Sequence, residues 1–187
     1  MAFLTERKAR AALRGRGLQF AVSELRKSAA SSMSTRFDVF LSHSFSDAEI
    51  IAGVKALLEE VGRSVYVDWI EDRHLDRTRV TVQTAEVLRI RMRNSRSLIF
   101  ATSRTSSTSK WMPWELGFFD GYRPGHVAVL PLVETTGATF EGQEYLGLYP
   151  YVEELAFSDG RAMGIRTGSS TAVPVSTFPT VAVATRM

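Results

Sequence analysis

The sequence contains no cysteine. Disulfides, thiol nucleophiles and cysteine-ligated zinc are excluded, and the composition fits a cytoplasmic chain. Histidine is scarce: His43, His74 and His126 are the only three, and their spacing matches no common metal motif. No metal centre is therefore expected. No apolar run approaches the roughly 20 residues of a membrane-spanning helix, so no membrane segment is expected. A secretory signal would need a continuous apolar stretch after the N-terminal charges, and none follows; a transit peptide would share the Arg- and Ser-rich composition. A strong charge of one sign is missing as well. The net charge is +3, but residues 1–36 hold eight Lys/Arg against two acids. The remainder, with fifteen basic and eighteen acidic residues, is mildly acidic. That balance argues against a nucleic-acid-binding core and leaves the N-terminal arm as the one basic element.

A length of 187 residues fits one domain with an extension, and 44% hydrophobic residues suffice for a packed core. Residues 1–30 read as a basic helix with a loose apolar stripe. A Ser/Ala linker over residues 28–35 marks a boundary. Residues 37–42 form an apolar run that reads as a buried strand, and the loop 43–47 leads to an amphipathic helix over 47–61 that Gly62 ends. Residues 64–69 read as a second strand, followed by the charged loop 71–79. A helix over 81–92 and a strand over 97–101 come next. The Ser/Thr loop 102–110 then leads to a short helix. A fourth strand is expected over 126–132, and a last short strand within 145–155. The division is thus an N-terminal extension and linker over 1–35, a domain over 36–157, and a Gly/Ser/Thr-rich tail over 158–187. The tail is expected to be weakly structured, or ordered only by contact with something else.

Strands alternating with helices imply a parallel sheet covered on both faces. About five strands give an α/β, flavodoxin-like layout with the first strand central. Ligands in such folds sit where the strand order switches, at the carboxyl ends of strands one and three. Those ends carry His43, Ser44, Phe45 and the loop 102–110. Just beyond lies Ser109-Lys-Trp-Met-Pro-Trp-Glu-Leu-Gly-Phe-Phe-Asp120. Trp111 and Glu115 are four apart and share a helix face, Pro113 suits the first turn, and Gly121 reads as the helix end. Rings beside one carboxylate suit a nucleotide whose bond cleavage develops positive charge. The plain alternative is that Trp111, Trp114, Phe118 and Phe119 are core aromatics and Glu115 is a first-turn acid favoured by the helix dipole.

Three chemistries fail on the residues present. A phosphoacceptor site needs acids where Ser42-His43-Ser44 and Ala101-Thr102-Ser103 stand. A dinucleotide oxidoreductase needs a glycine-rich loop after the first strand, and that loop holds no glycine. A triad from Ser44, His43 and Asp47 would crowd adjacent residues into one short loop. Cleavage of an N-glycosidic bond remains. Its oxocarbenium-like transition state is stabilised by one carboxylate, and nicotinamide as leaving group needs no general acid.

Phe37-Asp-Val-Phe-Leu-Ser-His-Ser-Phe-Ser-Asp47 resembles the first signature of the TIR (Toll/interleukin-1 receptor) domain, and Trp111-Met-Pro-Trp-Glu115 resembles the W-x-x-x-E motif of its enzymatic members. The resemblance covers about residues 36–157. It is strongest to bacterial stand-alone members such as those of Thoeris-type antiphage defence. It implies a five-stranded parallel sheet and cleavage of NAD as substrate, with no further cofactor, to nicotinamide and ADP-ribose or its cyclic or conjugated forms. It also implies Glu115 as catalytic acid and Trp111 as a stacking wall, with His43, Ser44, Phe45, Asp68 and Trp69 lining the pocket and Trp114 beside them. The loop carrying Arg73, Asp76, Arg77 and Arg79 would be the BB loop, which mediates assembly and gates the site. Self-assembly and a downstream effector that senses the product follow as expected partners. The Arg-Asp-x-x-Pro-Gly pattern of animal receptor BB loops is absent. A non-enzymatic scaffold joining partners through the BB loop is the competing reading, and a nucleoside-modifying hydrolase or transferase is a third.

Overall fold

The computed structural model describes residues 1–72, 81–104, 106–155, 157, 163–168 and 171–179. The chain opens with a two-residue strand, β1 (Leu4–Thr5), and a long helix, α1 (Glu6–Ala30). It continues through β2 (Phe37–Ser42), α2 (Ala48–Glu60), β3 (Val65–Tyr66), α3 (Asp68–Glu71), α4 (Val82–Arg93), β4 (Ser95–Thr102), α5 (Met112–Tyr122) and β5 (Val127–Val133). Three short strands close it: β6 (Val152–Glu154), β7 (Met163–Arg166) and β8 (Ala172–Pro174).

The first five strands form one parallel sheet in the order β1-β5-β4-β2-β3. This is the expected α/β, flavodoxin-like arrangement, with β2 inside the sheet and the switch of strand order beside it. Alternation along β2 sends its side chains to two separate cores. Val39 and Leu41 pack with Ile50, Ile51, Val54 and Leu58 of α2. Phe40 packs on the other face with Leu88 and Met92 of α4 and Leu116 and Phe119 of α5, and Phe37 at the start of the strand joins the same cluster against the alternation. Burial of β4 and β5 on both faces explains why they read as continuous apolar runs.

Three segments depart from the sequence reading. The fifth strand of the parallel sheet is Leu4–Thr5 of the N-terminal arm, paired with Leu132 and Val133. Residues 152–154 instead join an antiparallel sheet with β7 and β8. Tyr151 makes one parallel bridge to Val129, and the Glu154 amide donates to the Ala2 carbonyl, so the arm and the β6 segment share the edge beside β5. The expected strand over 64–69 stops at Tyr66, and residues 68–71 turn into α3. The described parts of the tail are ordered by contact with the body: Met163, Ile165, Val175 and Phe178 enter the α2-side core. Arg63 fastens that segment by donating to the carbonyls of Val175 (3.1 Å) and Phe178 (2.6 Å). Four buried apolar side chains supply the driving force that the intervening Gly, Ser and Thr lack.

Helix α1 extends to Ala30, over the first part of the expected linker, and lies against α2. At Gly53 a Cβ atom would stand 1.9 Å from the Ala9 carbonyl oxygen, so glycine lets the two backbones meet there. Arg10 pairs with Glu49 and Arg16 with Glu60 across the same contact. Helix α5 runs one residue past Gly121, and the turn into β5 is made by Gly125 at φ +80°. Among the described residues no helix is long and apolar enough to cross a membrane.

Candidate functional site

The carboxyl edge of the sheet gathers the loop after β2 and the loop after β4. Helix α5 begins there, with Pro113 in its first turn and the Glu115 amide donating to the Trp111 carbonyl at 2.8 Å. That turn aims Glu115 inward, and its side chain is fully buried. Ser42, the last residue of β2 and also fully buried, donates its hydroxyl to Glu115 Oε2 at 2.5 Å. Trp111 is buried beside this pair in the α5-side core and meets Trp114 edge-on at 5.5 Å. Trp114 faces outward along α5, stacked on Phe118 with the Arg89 guanidinium over its ring.

The remaining pocket candidates lie on the other side of the central strand. His43 continues the alternation of Val39 and Leu41, toward the α2 face. Its Nδ1 is 2.8 Å from the Leu41 carbonyl and donates to it, because a carbonyl only accepts. Its Nε2 accepts from the Trp69 indole N–H at 3.1 Å and lies 3.3 Å from Asp68 Oδ1. Trp69, like Leu13 of α1, packs against Ala52 and Ala56 of α2. Asp68, His43 and Ser44 are buried, whereas Phe45 is 71% exposed at the rim. The Ser44 and Ser46 hydroxyls are 2.9 Å apart. The structure therefore forms two groups, Glu115–Trp111–Ser42 on the α5 side and His43–Asp68–Trp69 on the α2 side, joined by the end of β2.

A second serine–carboxylate bond mirrors the first. Ser103, just after β4, donates to Asp47 Oδ2 at 2.6 Å, and both are buried. Each central strand thus ends in a serine that holds the carboxylate at the start of the helix following the other strand. Sequence reasoning assigns neither serine a role. The available signal was position alone: a hydroxyl closing an otherwise apolar strand.

A cavity of about 570 Å³ opens at this same edge, lined by Glu6, Arg10, Ser46, Asp47, Glu49, Ile50, Arg104 and Glu134. It lies on the α2 side and Glu115 is not in its wall. Its arginines are paired, Arg10 with Glu6 and Glu49, and Arg104 with Glu134 at 3.0 Å. A second cavity of about 470 Å³ near the start of β3 also stays clear of Glu115. Among the described residues, no cluster of three or more His, Asp or Glu is arranged for a metal.

Arg73, Asp76, Arg77 and Arg79 lie outside the described residues. The root of their loop is described. Asp72 is buried and receives two bonds from Arg91, at 2.8 and 2.7 Å, and one from the Tyr66 hydroxyl at 2.8 Å. Burial pulls the Arg91 pKa down, but the Asp72 bonds and charge outweigh it and hold it above the usual value. Burial, then the negative charges of Asp72 and Asp68, push the Tyr66 phenol well up.

The fold and site define a class: a doubly wound parallel α/β domain with one buried carboxylate beside aromatic rings at its carboxyl edge. No family model matches the chain. The chain is similar to a protein named probable 3' cyclic ADP-D-ribose synthase ThsB' of Bacillus cereus (strain MSX-D12), 56% identical over 117 residues, covering 62% of this chain and 60% of that protein. It is also similar to a putative cyclic ADP-D-ribose synthase TIR2 of Cytobacillus dafuensis, 32% identical over 83 residues, covering 44% of this chain and 22% of that one. The chain thus spans less than two thirds of either relative. Both relatives carry the name cyclic ADP-D-ribose synthase.

Proposed function

We propose that this chain cleaves NAD at the nicotinamide–ribose bond and forms ADP-ribose or a cyclic or conjugated ADP-ribose signal in antiphage defence. The observation that carries this reading is Glu115: a fully buried carboxylate, held by Ser42, beside Trp111 at the sheet's carboxyl edge. The names of the two relatives, both cyclic ADP-D-ribose synthases, support the same reaction class. Glu115 stabilises the ribose cation as the C–N bond breaks, and its other role is to hold ribose hydroxyls. Nicotinamide departs neutral, taking the bonding electron pair. Attack by water, with loss of a proton, gives ADP-ribose; attack by a nucleophile of the same molecule gives a cyclic product. Arg10 and Arg104 are the cations on the cavity walls that a diphosphate can meet, by exchanging with their carboxylate partners.

Glu115 is enclosed among the described residues, so turnover requires the edge to open. We infer that self-assembly completes the site, that the loop carrying Arg73 and Arg77 takes part, and that a separate effector senses the product. Activity per molecule then rises with protein concentration; a flat specific activity over a wide range refutes the assembly step. The deciding experiment is nicotinamide release from NAD by purified protein at high concentration, beside Glu115→Gln. Loss of release in the variant with an unchanged unfolding temperature is expected. Equal rates would refute the role of Glu115, and no release from either protein would favour a scaffold that binds partners without chemistry.

A further inference from the structure

Buried serines usually satisfy the nearest backbone carbonyl, as Ser95 and Ser97 do here with Arg91 and Asp38. Ser42 does something different. It ends β2, whose ladder still pairs it with Phe100 of β4, so its backbone is held from that side. Alternation places its side chain on the α5 face, and its hydroxyl meets Glu115 Oε2 at 2.5 Å. Two rigid elements, a central strand and the first turn of a helix, hold the ends of this bond.

Packing alone leaves one freedom in such a glutamate. The terminal torsion between an sp³ carbon and a carboxylate is soft and roughly two-fold, so enclosure does not decide which way the oxygens point. A hydrogen bond to one oxygen does. It fixes the plane of the carboxylate and commits Oε2 to β2. The reacting ribose must then meet a carboxylate whose rotation Ser42 has set.

We propose that Ser42 is a positioning residue for Glu115, fixing the plane of the carboxylate against which the ribose cation forms. This rests on the NAD-cleaving reading above. Ser42 touches no reacting atom; it acts through Glu115. Misplacing a reacting group by a fraction of an ångström to one ångström costs up to about 100-fold in rate, with little effect on binding made elsewhere in the substrate.

The test is steady-state kinetics of nicotinamide release for Ser42→Ala, Ser42→Thr, Glu115→Gln and the double variant Ser42→Ala/Glu115→Gln, with Ser97→Ala as a buried-serine control at the opposite end of the sheet. Ser42→Ala is expected to lose about 10–100-fold in kcat with KM changed less than about threefold. Ser42→Thr, which keeps the hydroxyl, recovers most of that loss, and Ser97→Ala behaves as the unaltered protein. The double variant is no slower than Glu115→Gln alone, because a residue that acts only through Glu115 has nothing left to position. A Ser42→Ala kcat within about twofold of the unaltered protein, or a double variant slower by the product of both losses, overturns the proposal. If Ser42→Ala does not fold, Ser42→Cys keeps the volume and weakens the donor; an unchanged kcat there overturns it equally. Failure of the parent reading looks different: Glu115→Gln itself then releases nicotinamide at the full rate.

Discussion

Lys55 offers a sharp test of how the N-terminal helix is attached. Its side chain is 1% exposed in α2, and Nζ lies 3.1 Å from Glu24 of α1, 3.1 Å from Glu59, and 3.6 Å from Glu71 of α3. It also donates to the Val65 carbonyl at 2.5 Å. At an effective dielectric near 20, a pair at these separations gains about 5 kcal/mol before desolvation is counted. Most of that gain is cancelled by taking the charges out of water, so the net value of the cluster is small. Removing the ammonium alone is another matter, because three carboxylates then face one another without a cation. Lys55→Met is therefore expected to cost about 3–5 kcal/mol at neutral pH. For a chain of this size that lowers the midpoint of thermal unfolding by roughly 6–20 °C. The loss should also depend on pH. Burial raises the Glu71 pKa, Lys55 opposes that rise, and Glu24 adds to it. Without Lys55 the folded value climbs further above the unfolded one. A carboxyl raised in this way contributes stability below its unfolded pKa and loses it as pH rises through the folded pKa. Urea unfolding at pH 5 and pH 8 should show the larger penalty at pH 8, and Glu24→Gln in the Lys55→Met background should recover part of it. A penalty under about 1 kcal/mol, or one equal at both pH values, would refute the buried-hub account.

Gly53→Val places a branched side chain where even a Cβ would overlap the Ala9 carbonyl, so α1 must lift from α2; a loss of about 1–3 kcal/mol is expected, with hydrogen exchange speeding up along residues 6–16. Burial raises the Asp38 pKa, but bonds from the Ser64 amide and hydroxyl and the Arg63 and Arg96 charges outweigh it and hold it below the usual value. Its stabilisation is present above about pH 4 and lost as pH falls through the folded pKa, so Asp38→Asn should flatten the acid limb of the unfolding curve. Arg104→Gln removes one cavity cation paired with exposed Glu134; a KM for NAD raised about 3–10-fold with kcat held is expected, and an unchanged KM would remove Arg104 from the diphosphate path.

What the sequence disclosed and what it withheld divide along a physical line. Strands β2, β4 and β5 are legible because burial on both faces keeps their centres apolar, and helices α2, α4 and α5 because their apolar spacing and breakers agree with their packing. The third strand is shorter than its apolar pattern. Val67 is as buried as Val65, but the chain turns there so that Glu71 and Asp72 reach Lys55 and Arg91, residues distant in sequence. The fifth strand comes from Leu4–Thr5 and not from the segment after β5, because pairing along a sheet edge depends on which segment arrives there and not on local pattern. At the site, the motif placed Glu115 at the first turn of a helix on the carboxyl edge. The motif could not show that His43 and Glu115 face different sides of the sheet, although the alternation of Val39, Phe40, Leu41 and Ser42 already implied it. That parity has a chemical consequence. A substrate reaching both Glu115 and the cavity wall at Asp47 must lie across the ends of β2 and β4. Ser42 and Ser103, the two serines that brace those carboxylates, stand at the crossing.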